Sequence, residues 1–428
     1  MDSDKIRVSP RDAALSSLIG IYFRGRYSNI ETDTVIKKTG ISGQDKKLYT
    51  ALVFRTVEKT VTSDYVISLF STRAPADVEP AALAALRLGI TQILFMDGIR
   101  DHAACYETVE ALKKTPGRKA AGFVNAVLRS VIRSRDAIRY PSEGDPRYLS
   151  VRYSVSESIA AILKRDFGPD AEKILRSLEG APATAIRVNT LKTDETQVRA
   201  LTGGQPVSDA PQALILPSGS VPGETTGFPD GLFFVQDVSS QLCVSALGAR
   251  PGMTVVDCCS APGGKAFGAA ADMEGAGRVI CLDIHENKLS LIRNGAERLG
   301  ISIIETAVCD GKTGDPSLDG IADRVICDVP CSGLGVISKK PEIRLRDMSS
   351  TGDLNRTQLA VLTRASRYLK PEGRLVYSTC TLNSSENGDV VRRFLAENVG
   401  FTSVSETTVR PGPDRDGFYF AVIERKKQ

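Results

Sequence analysis

The chain of 428 residues contains no tryptophan and only two histidines, His102 and His285. It also has no C-x-x-C motif, although it contains nine cysteines. Zinc sites in proteins take their ligands from closely spaced cysteines and histidines. The scarcity of histidine and the missing C-x-x-C spacing argue against a zinc site, and we expect no metal in this protein.

Long apolar runs and a signal-peptide pattern are also missing. No run approaches the roughly 20 apolar residues that a membrane-spanning helix requires. Residues 1–17 have no basic start followed by an apolar core. The nine cysteines are scattered and odd in number, so they do not predict a disulfide framework. We therefore predict a cytoplasmic protein with reduced thiols and no membrane partner.

The net charge is only +4, but the basic residues are unevenly distributed. Residues 1–140 contain 22 Lys/Arg and 15 Asp/Glu, a net charge of +7, whereas the remainder contains 33 and 36, a net charge of −3. A basic stretch at 113–139 accounts for the whole excess, because it contains one acid, Asp136, and the basic residues Lys113, Lys114, Arg118, Lys119, Arg129, Arg133, Arg135 and Arg139. Such a stretch is either a solvated helix face or a binding surface for a polyanion.

The hydrophobic pattern divides the chain into three parts. Apolar residues in 10–135 recur at intervals of three and four, which predicts a helical domain, and a Pro- and Gly-containing linker follows at 139–148. Residues 150–235 mix helical and strand patterns. From residue 236, short β-branched runs alternate with helical stretches, which predicts a mainly parallel sheet with helices on both faces. The predicted domains are 1–140, 148–235 and 236–428.

A glycine-rich turn follows the first of these strands, in the sequence VVDCCSAPGGKAF at 255–267. Glycines let a ligand approach the backbone, and the start of a helix offers free N–H groups. A P-loop would need Gly at 259 and Ser or Thr at 266, where this chain has Cys259 and Ala266. The dinucleotide pattern G-x-G-x-x-G is absent too, so the turn does not predict a phosphate-bearing ligand.

Aspartates mark the ends of the next three predicted strands, at Asp283, Asp310 and Asp328. Asp283 lies 19 residues after Gly264, about where an acidic residue binds ribose hydroxyls in doubly wound folds. Each aspartate alone could be an N-cap or turn residue, but three consecutive strand ends indicate a shared ligand site. A ligand with a ribose and no phosphate is indicated, and S-adenosyl-L-methionine fits.

Cysteines follow the fourth and fifth of these strands, at Cys331 and Cys380. If the sheet has the strand order usual in methyltransferases, these strands are neighbours and the two thiols flank one pocket. Methylation of an exocyclic amine needs no covalent help, whereas carbon 5 of a pyrimidine is a poor nucleophile. A thiolate that adds to carbon 6 activates carbon 5, and a base must then remove the carbon 5 proton. The two cysteines therefore favour methylation at carbon 5 of a pyrimidine.

The motifs DCCSAPGGK, LDIHENKL, DVPCSGLGV, KPEIR and YSTCTLNSSEN resemble the successive motifs of the RNA cytosine-5 methyltransferases. The N-terminal region, including NAVLR at 125–129, is similar to the NusB-like RNA-binding domain. This combination is characteristic of the bacterial 16S ribosomal RNA methyltransferases of the RsmB type. The implied fold class is α/β: a Rossmann-like S-adenosylmethionine-dependent methyltransferase domain preceded by an all-α NusB-like domain and a small α+β region.

The resemblance also implies roles for individual residues. Cys380 is the nucleophile, Cys331 assists proton removal and product release, and Asp328 faces the target base as well as the cofactor. The implied cofactor site consists of Cys259, Ser260, Ala261, Pro262, Gly263, Gly264, Lys265, Asp283, Asp310 and Asp328. The expected protein is a monomer that methylates 16S ribosomal RNA and does not act on DNA. Transfer RNA is an alternative substrate, and a non-catalytic NusB-like RNA-binding protein and a protein methyltransferase are alternative functions.

Overall fold

The computed structural model describes residues 8–180, 182–350 and 352–427. Internal contacts divide the chain into two units. The first, here called the helical unit, contains the chain up to Arg176 together with Ile337–Asp347. The second, the α/β unit, contains Ser177–Val336 and the chain from Met348 onward. The three domain boundaries expected from the sequence stay a prediction.

Residues 8–180 form helices and connecting turns. The helices are α1 (Pro10–Arg24), α2 (Ser28–Thr39), α3 (Gly43–Glu58), α4 (Thr60–Phe70), α5 (Pro80–Phe95), α6 (Asp101–Lys113), α7 (Ala121–Arg133), α8 (Tyr148–Tyr153), α9 (Glu157–Phe167) and α10 (Ala171–Ser177). Helix α1 begins after Ser9, whose side chain accepts a hydrogen bond from the Arg11 N–H, and ends at Gly25 in the left-handed conformation. Within the described residues, no helix is long and apolar enough to cross a membrane.

Helix α5 forms the centre of the helical core. Its residues are buried almost without interruption from Ala81 to Ile93, because small and apolar side chains occupy every face of the helix. Gly89 permits close packing against α7, since a Cβ atom at this position would lie 2.6 Å from the Leu128 side chain. The helical region predicted from the sequence is thus built around its most apolar segment.

Residues 337–347 leave the α/β unit and pack within the helical unit. The Arg344 side chain is 1% exposed and donates to the Tyr153 carbonyl at 2.8 Å. Ser28 Oγ donates to Glu342 Oε2 at 2.6 Å, and Leu345 packs against the helical core. The KPEIR motif therefore belongs structurally to the helical unit.

A small antiparallel sheet opens the α/β unit. Its strands are β1 (Ala185–Val188), β2 (Gln205–Val207), β3 (Ala210–Ile215) and β4 (Phe233–Val235). The helix α11 (Glu195–Thr202) lies between β1 and β2 in the chain. The strand order is β2-β3-β1-β4. Ile186, Val198, Leu214 and Phe233 are buried together and form the core of this sheet.

A seven-stranded sheet forms the rest of the α/β unit. Its elements are α12 (Val238–Leu247), β5 (Thr254–Asp257), α13 (Gly264–Asp272), β6 (Arg278–Asp283), α14 (Glu286–Leu299), β7 (Ile304–Val308), β8 (Ala322–Asp328), α15 (Gly352–Ser366), β9 (Leu369–Thr379), α16 (Gly388–Glu397), β10 (Phe401–Val409) and β11 (Phe418–Arg425). The strand order is β10-β11-β9-β8-β5-β6-β7, in which only β10 and β11 pair antiparallel to their neighbours. The predicted fold class is confirmed.

Both faces of the seven-stranded sheet are buried. Val255 and Val279 contribute to one hydrophobic core, whereas the adjacent Val256 and Ile280 contribute to another. This alternation follows from the two-residue repeat of a strand, and burial on both faces explains why the strands read as continuous apolar runs.

An ion pair connects the small sheet to α13. Arg187 on β1 is 1% exposed, and its Nη2 lies 2.5 Å from Asp272 Oδ1 at the end of α13. Gly268 makes room for this guanidinium, since a Cβ atom there would lie 2.5 Å from Arg187 Nη1. The small sheet therefore supports the helix whose first turn follows the glycine-rich sequence.

Candidate active site

The side chains of Cys331 and Cys380 meet beyond the carboxyl ends of β8 and β9, with their Sγ atoms 3.2 Å apart. The two strands are parallel neighbours, and Asp328 at the end of β8 lies opposite Ser378 near the end of β9. Because neighbouring strands lie about 4.8 Å apart, the residues that follow them are brought together. The strand adjacency expected from the sequence is confirmed.

The contact between the sulfurs affects the proton on Cys331. Its hydrogen bond with Cys380, together with burial, raises the pKa of the Cys331 thiol well above its usual range. At neutral pH Cys331 is therefore a thiol, which can donate its proton toward a thiolate at Cys380.

A buried carboxylate holds the loop that contains the first cysteine. Glu386 is fully buried, and its Oε2 accepts hydrogen bonds from the Ser332 N–H at 2.8 Å and from Gln358 Nε2 at 3.1 Å. Its Oε1 accepts from Asn383 Nδ2 at 3.0 Å, and its carbonyl accepts from the Tyr377 hydroxyl at 2.6 Å. One carboxylate therefore contacts both cysteine loops.

The two cysteine loops also bond directly to each other. The hydroxyls of Ser332 and Thr381 lie 2.7 Å apart, and the Gly335 N–H donates to the Cys380 carbonyl at 3.0 Å. Gly335 permits a close approach to the segment before β11, since a Cβ atom there would lie 1.8 Å from the Gly417 carbonyl oxygen. These contacts fix the loops in one arrangement.

An ion pair lies beside the sulfurs. Lys265 Nζ is 2.5 Å from Asp328 Oδ2, and Ser378 Oγ donates to Asp328 Oδ1 at 2.7 Å. Burial opposes the charge on Lys265, but the nearby acidic groups, of which Asp328 has the largest effect, together outweigh burial and raise the lysine pKa. The ammonium group also lies 5.1 Å from the centre of the Phe418 ring. Asp328 is thus oriented on two sides, with lone pairs left for a further donor.

Residues 259–263 of the predicted cofactor turn lie between β5 and α13, and its last two residues, 264 and 265, begin α13. The Ser260 N–H donates to a main-chain carbonyl of β6 at 2.8 Å, and the Ala261–Pro262 peptide bond is cis. Gly263 has φ +107°, and a Cβ atom there would lie 2.6 Å from the Phe267 ring. Glycine is therefore required at this position. The next residue begins α13, which leaves the first N–H groups of the helix facing the turn.

Four aspartates lie close enough to Cys259, the first residue of the turn, to affect its thiol. Burial raises the pKa of the Cys259 thiol, and the negative charges of Asp257, Asp328, Asp283 and Asp310 add to this effect. Four carboxylates near one side chain favour a cationic ligand and disfavour a phosphate. A sulfonium cofactor fits this site.

Asp283 and Asp310 each keep acceptor capacity for a ligand. Asp283 is 8% exposed, and one of its oxygens accepts from the His285 N–H at 3.0 Å. One oxygen of Asp310 accepts from the Lys312 N–H at 2.9 Å. These local bonds orient the carboxylates, and each carboxylate has lone pairs left for hydroxyl or amino groups.

The structure adds Asp257, which was not selected from the sequence. It ends β5, is 1% exposed, and its Oδ1 has no hydrogen-bond partner among the described residues. Burial and the nearby Asp328 carboxylate raise its pKa to about 7. The signal was present in the sequence, since Asp257 ends the first strand much as Asp283 and Asp328 end later ones.

Comparison with known proteins assigns the family. Residues 244–422 match the family described as 16S rRNA methyltransferase RsmB/F, and residues 8–133 match the NusB family. The probable ribosomal RNA small subunit methyltransferase B of Bacillus subtilis (strain 168) is 35% identical over 407 residues, which cover 92% of this chain and 90% of that protein. This chain belongs to the RsmB/F methyltransferase family.

Two solved structures are similar to this RsmB/F protein. The crystal structure of PH0851 matches with a TM-score of 0.83 at 23% identity, covering 98% of this chain and 99% of that one, and shows the same fold. A methyltransferase homologue from Pyrococcus horikoshii matches with a TM-score of 0.57 at 26% identity, covering 66% of this chain and all of its own. The predicted NusB-like region and the cofactor, S-adenosyl-L-methionine, are confirmed for this RsmB/F protein.

In the NusB-like region, ion pairs occupy part of the basic stretch. Lys113 pairs with Glu110 and Lys114 with Asp12, each at 2.6 Å, and Arg135 pairs with Asp101. Within the part of the chain that the structure describes, five side chains of the stretch are exposed and form no salt bridge. One of them, Arg139, donates to the Asp136 carbonyl at 3.1 Å. The other four are Arg118, Lys119, Arg129 and Arg133. These four are the better candidates for a polyanion surface in this RsmB/F protein.

Proposed function

We propose that this protein transfers the methyl group of S-adenosyl-L-methionine to carbon 5 of a cytosine in 16S ribosomal RNA. The observation that carries the proposal is the pair of sulfurs, Cys331 and Cys380, 3.2 Å apart beside the Asp328–Lys265 ion pair. Family membership supports an RNA methyltransferase, and the sulfur pair supports chemistry at a carbon that is not itself nucleophilic.

Cys380 acts as the nucleophile in this proposal. The raised pKa of Cys331 keeps that residue protonated, so we assign the attacking thiolate to Cys380. The thiolate forms a bond to carbon 6, and the ring electrons move toward carbon 5. S-adenosyl-L-methionine would supply the electrophilic methyl group, whose bond to sulfur would break as carbon 5 bonds to it, with S-adenosylhomocysteine as the leaving group.

Cys331 acts after the methyl group is in place. Once Cys380 is bonded to carbon 6, it no longer offers Cys331 a hydrogen-bond acceptor or a negative charge, so the main cause of the raised pKa disappears. Cys331 is only partly buried, so it can then lose its proton to water and act as the base that removes the carbon 5 proton. The electrons of that C–H bond form the ring double bond, and the bond between carbon 6 and sulfur breaks to restore the Cys380 thiolate.

Asp328 favours cytosine over uracil. A carboxylate accepts hydrogen bonds, cytosine presents a 4-amino donor, and uracil presents a carbonyl oxygen in the same place. Lys265 and Ser378 hold the two carboxylate oxygens of Asp328 in fixed directions. We propose that Asp283 binds the ribose hydroxyls of the cofactor and that Asp257 and Asp310 complete the acidic wall of its site.

The order in which the cysteines act can be tested by trapping. Cys331→Ala should accumulate a covalent enzyme–RNA complex that survives denaturing gel electrophoresis, because carbon 5 is methylated but the proton stays. Cys380→Ala should form no complex and show no activity, because the ring is never activated. Cys105→Ala, a substitution in the helical unit, serves as the control and should behave as the wild type.

The trapped complex should require both S-adenosyl-L-methionine and Cys380, so the double variant should show none. Accumulation in Cys380→Ala and not in Cys331→Ala would exchange the two roles. Bisulfite sequencing of ribosomal and transfer RNA from a deletion strain identifies the substrate, and loss of methylation in transfer RNA alone would contradict the 16S assignment.

We further propose that the enzyme acts as a monomer and does not methylate DNA. The contact between Cys331 and Cys380 and the Asp328–Lys265 ion pair each form within one copy of the chain, so these groups need no residue of a second copy. Sedimentation velocity at assay concentration should give one species near the chain mass of 46.0 kDa. A DNA oligonucleotide of the same sequence as the methylated RNA should accept no methyl group.

A further inference from the structure

Two consecutive buried residues, Glu386 and Asn387, form hydrogen bonds to the loops that contain the two cysteines. Glu386 is fully buried and Asn387 is 3% exposed, at the junction between the second cysteine loop and α16. Both belong to the same sequence motif as Cys380. The Asn387 side chain bonds to the residues on either side of Cys380. The Glu386 carboxylate bonds to Ser332 after Cys331, to Asn383 after Cys380, and to Gln358, which holds the residue before Cys331.

Glu386 and its partner Gln358 hold the main chain on both sides of Cys331. Gln358 Nε2 donates to the Pro330 carbonyl at 2.9 Å, and Glu386 Oε2 accepts from the Ser332 N–H at 2.8 Å. Gln358 also donates to Glu386 at 3.1 Å, which joins the two supports. Buried hydrogen bonds to a charged group are stronger than neutral ones, so the bonds of Glu386 and Gln358 resist displacement of the loop that contains Cys331.

Asn387 holds the residues on both sides of Cys380. Its Oδ1 accepts from the Thr379 hydroxyl at 2.6 Å, and its Nδ2 donates to the Thr381 carbonyl at 3.1 Å. Both threonines are fully buried, so no water competes for these bonds. The amide of one side chain therefore fixes the backbone that carries the nucleophile.

We propose that Glu386 and Asn387 form a positioning pair that sets the contact between the two sulfurs. Because they are adjacent in the chain, a displacement of one cysteine loop is transmitted to the other through a single peptide unit. Neither side chain reaches the substrate: Asn387 acts through Cys380 in the attack on carbon 6, and Glu386 acts through Cys331 in the release. This inference rests on the proposed cysteine chemistry.

Substitutions of Glu386 and of Asn387 should cause different defects in the reaction. Glu386→Gln removes the charge and places an amide N–H among donors, so Cys331 should be misplaced and the covalent complex should accumulate, as in Cys331→Ala. Asn387→Ala should misplace Cys380, so turnover should fall without accumulation of the complex. A displacement of about 1 Å lowers kcat by about 100-fold, and KM for RNA should not change because neither residue contacts it.

A matched control separates positioning from general stability. Asn189 is 1% exposed, and its Nδ2 donates to the main-chain carbonyls of Gly231 and Leu299, which belong to neither cysteine loop, at 2.8 and 2.9 Å. Asn189→Ala should lower the melting temperature by an amount similar to Asn387→Ala, while kcat stays within about threefold of the wild type. Cofactor affinity, measured by calorimetry, should be unchanged in the Glu386 and Asn387 variants.

Several results would overturn the positioning pair. A complex in Cys331→Ala but none in Glu386→Gln would show that Glu386 does not act through Cys331. A kcat equal to that of the wild type in Asn387→Ala would show that Asn387 does not act through Cys380. If Glu386→Gln does not fold, Gln358→Met removes the same support of Pro330 while keeping the bulk, and it must accumulate the complex. Absence of the complex from Cys331→Ala itself would overturn the proposed chemistry and this inference together.

Discussion

The substitution Asp257→Asn removes an ionisable group whose pKa the fold shifts into the neutral range. Burial and the Asp328 carboxylate raise the pKa of Asp257 from 3.8 to about 7. A shift of about three units corresponds to about 4 kcal/mol, at 1.36 kcal/mol for each unit. Because the folded-state pKa lies above the unfolded value, the stability from Asp257 is fully present below about pH 4. It is lost as the pH rises through about 7.

Asp257→Asn should therefore change how the stability of the protein depends on pH. Asparagine carries no charge, so the free energy of unfolding of the variant relative to the wild type should rise between pH 5 and pH 8. The expected rise is about 3 kcal/mol, because part of the penalty on the ionised carboxylate is already present at pH 5. Urea unfolding of the cofactor-free protein, at one-unit intervals of pH, measures this difference.

The same carboxylate should couple cofactor binding to a proton. A sulfonium cation near Asp257 favours the ionised form and lowers its pKa, so binding near pH 7 releases part of a proton. If the pKa falls by one unit, the affinity for S-adenosyl-L-methionine rises by about tenfold as the pH increases through 7. Calorimetry in two buffers of different ionisation enthalpy counts the proton. S-adenosylhomocysteine, which lacks the sulfonium charge, should show a smaller effect.

Two results would refute this account of Asp257. A difference in unfolding free energy that stays constant from pH 5 to pH 8 would show that the residue does not titrate in this window. An equal pH dependence of cofactor affinity in the wild type and in Asp257→Asn would show that another group carries the proton.

Three further outcomes are expected. Asp283→Ala should weaken S-adenosyl-L-methionine binding about ten- to a hundredfold by calorimetry, because charge-assisted hydrogen bonds contribute roughly 1.5–3 kcal/mol, and an unchanged affinity would contradict the ribose assignment. Asp272→Ala leaves the buried guanidinium of Arg187 unpaired, so urea unfolding should show a destabilisation of about 3–5 kcal/mol, and a value below about 1 kcal/mol would contradict it. Neutralising the four cations of the NusB-like region that form no salt bridge should weaken the salt dependence of RNA binding. The slope of log K against log salt should change by about 0.7–0.9 for each phosphate that the protein no longer neutralises. The control is the salt-bridged set Lys113, Lys114 and Arg135, and an equal effect in both sets would favour a solvated face. The four are Arg118, Lys119, Arg129 and Arg133.

The strands of the α/β unit show which patterns a sequence reveals. The five predicted strands correspond to β5–β9. In β5, β6, β8 and β9, β-branched runs buried on both faces leave a continuous apolar signal. Strand β7 is an edge strand without buried residues, so only its β-branched composition indicates a strand. Strand β10 was missed because it is an edge strand that pairs with β11 alone, and most of its side chains are exposed and polar. The three-residue strands β2 and β4 are too short to establish a period.

The site divides in a similar way. Cys331, Cys380 and the aspartates could be found in the sequence because the carboxyl ends of parallel strands collect ligand-binding groups at one edge. Gln358 and Glu386 could not, because their partners lie 28 and 54 residues away and depend on how α15 packs beside the loops. Hydrogen-bond partners at such distances follow from tertiary packing and leave no periodic signal.

The path of the chain through residues 337–347 limits how this protein can be divided into fragments. The chain crosses between the two units three times, at 176/177, 336/337 and 347/348. A recombinant helical fragment that ends at Arg176 would lack Arg344, which binds the Tyr153 carbonyl, and Leu345, which packs on its core. The complementary fragment would carry eleven residues removed from their native surroundings. Chimeras between relatives should therefore exchange residues 337–347 together with the N-terminal helices.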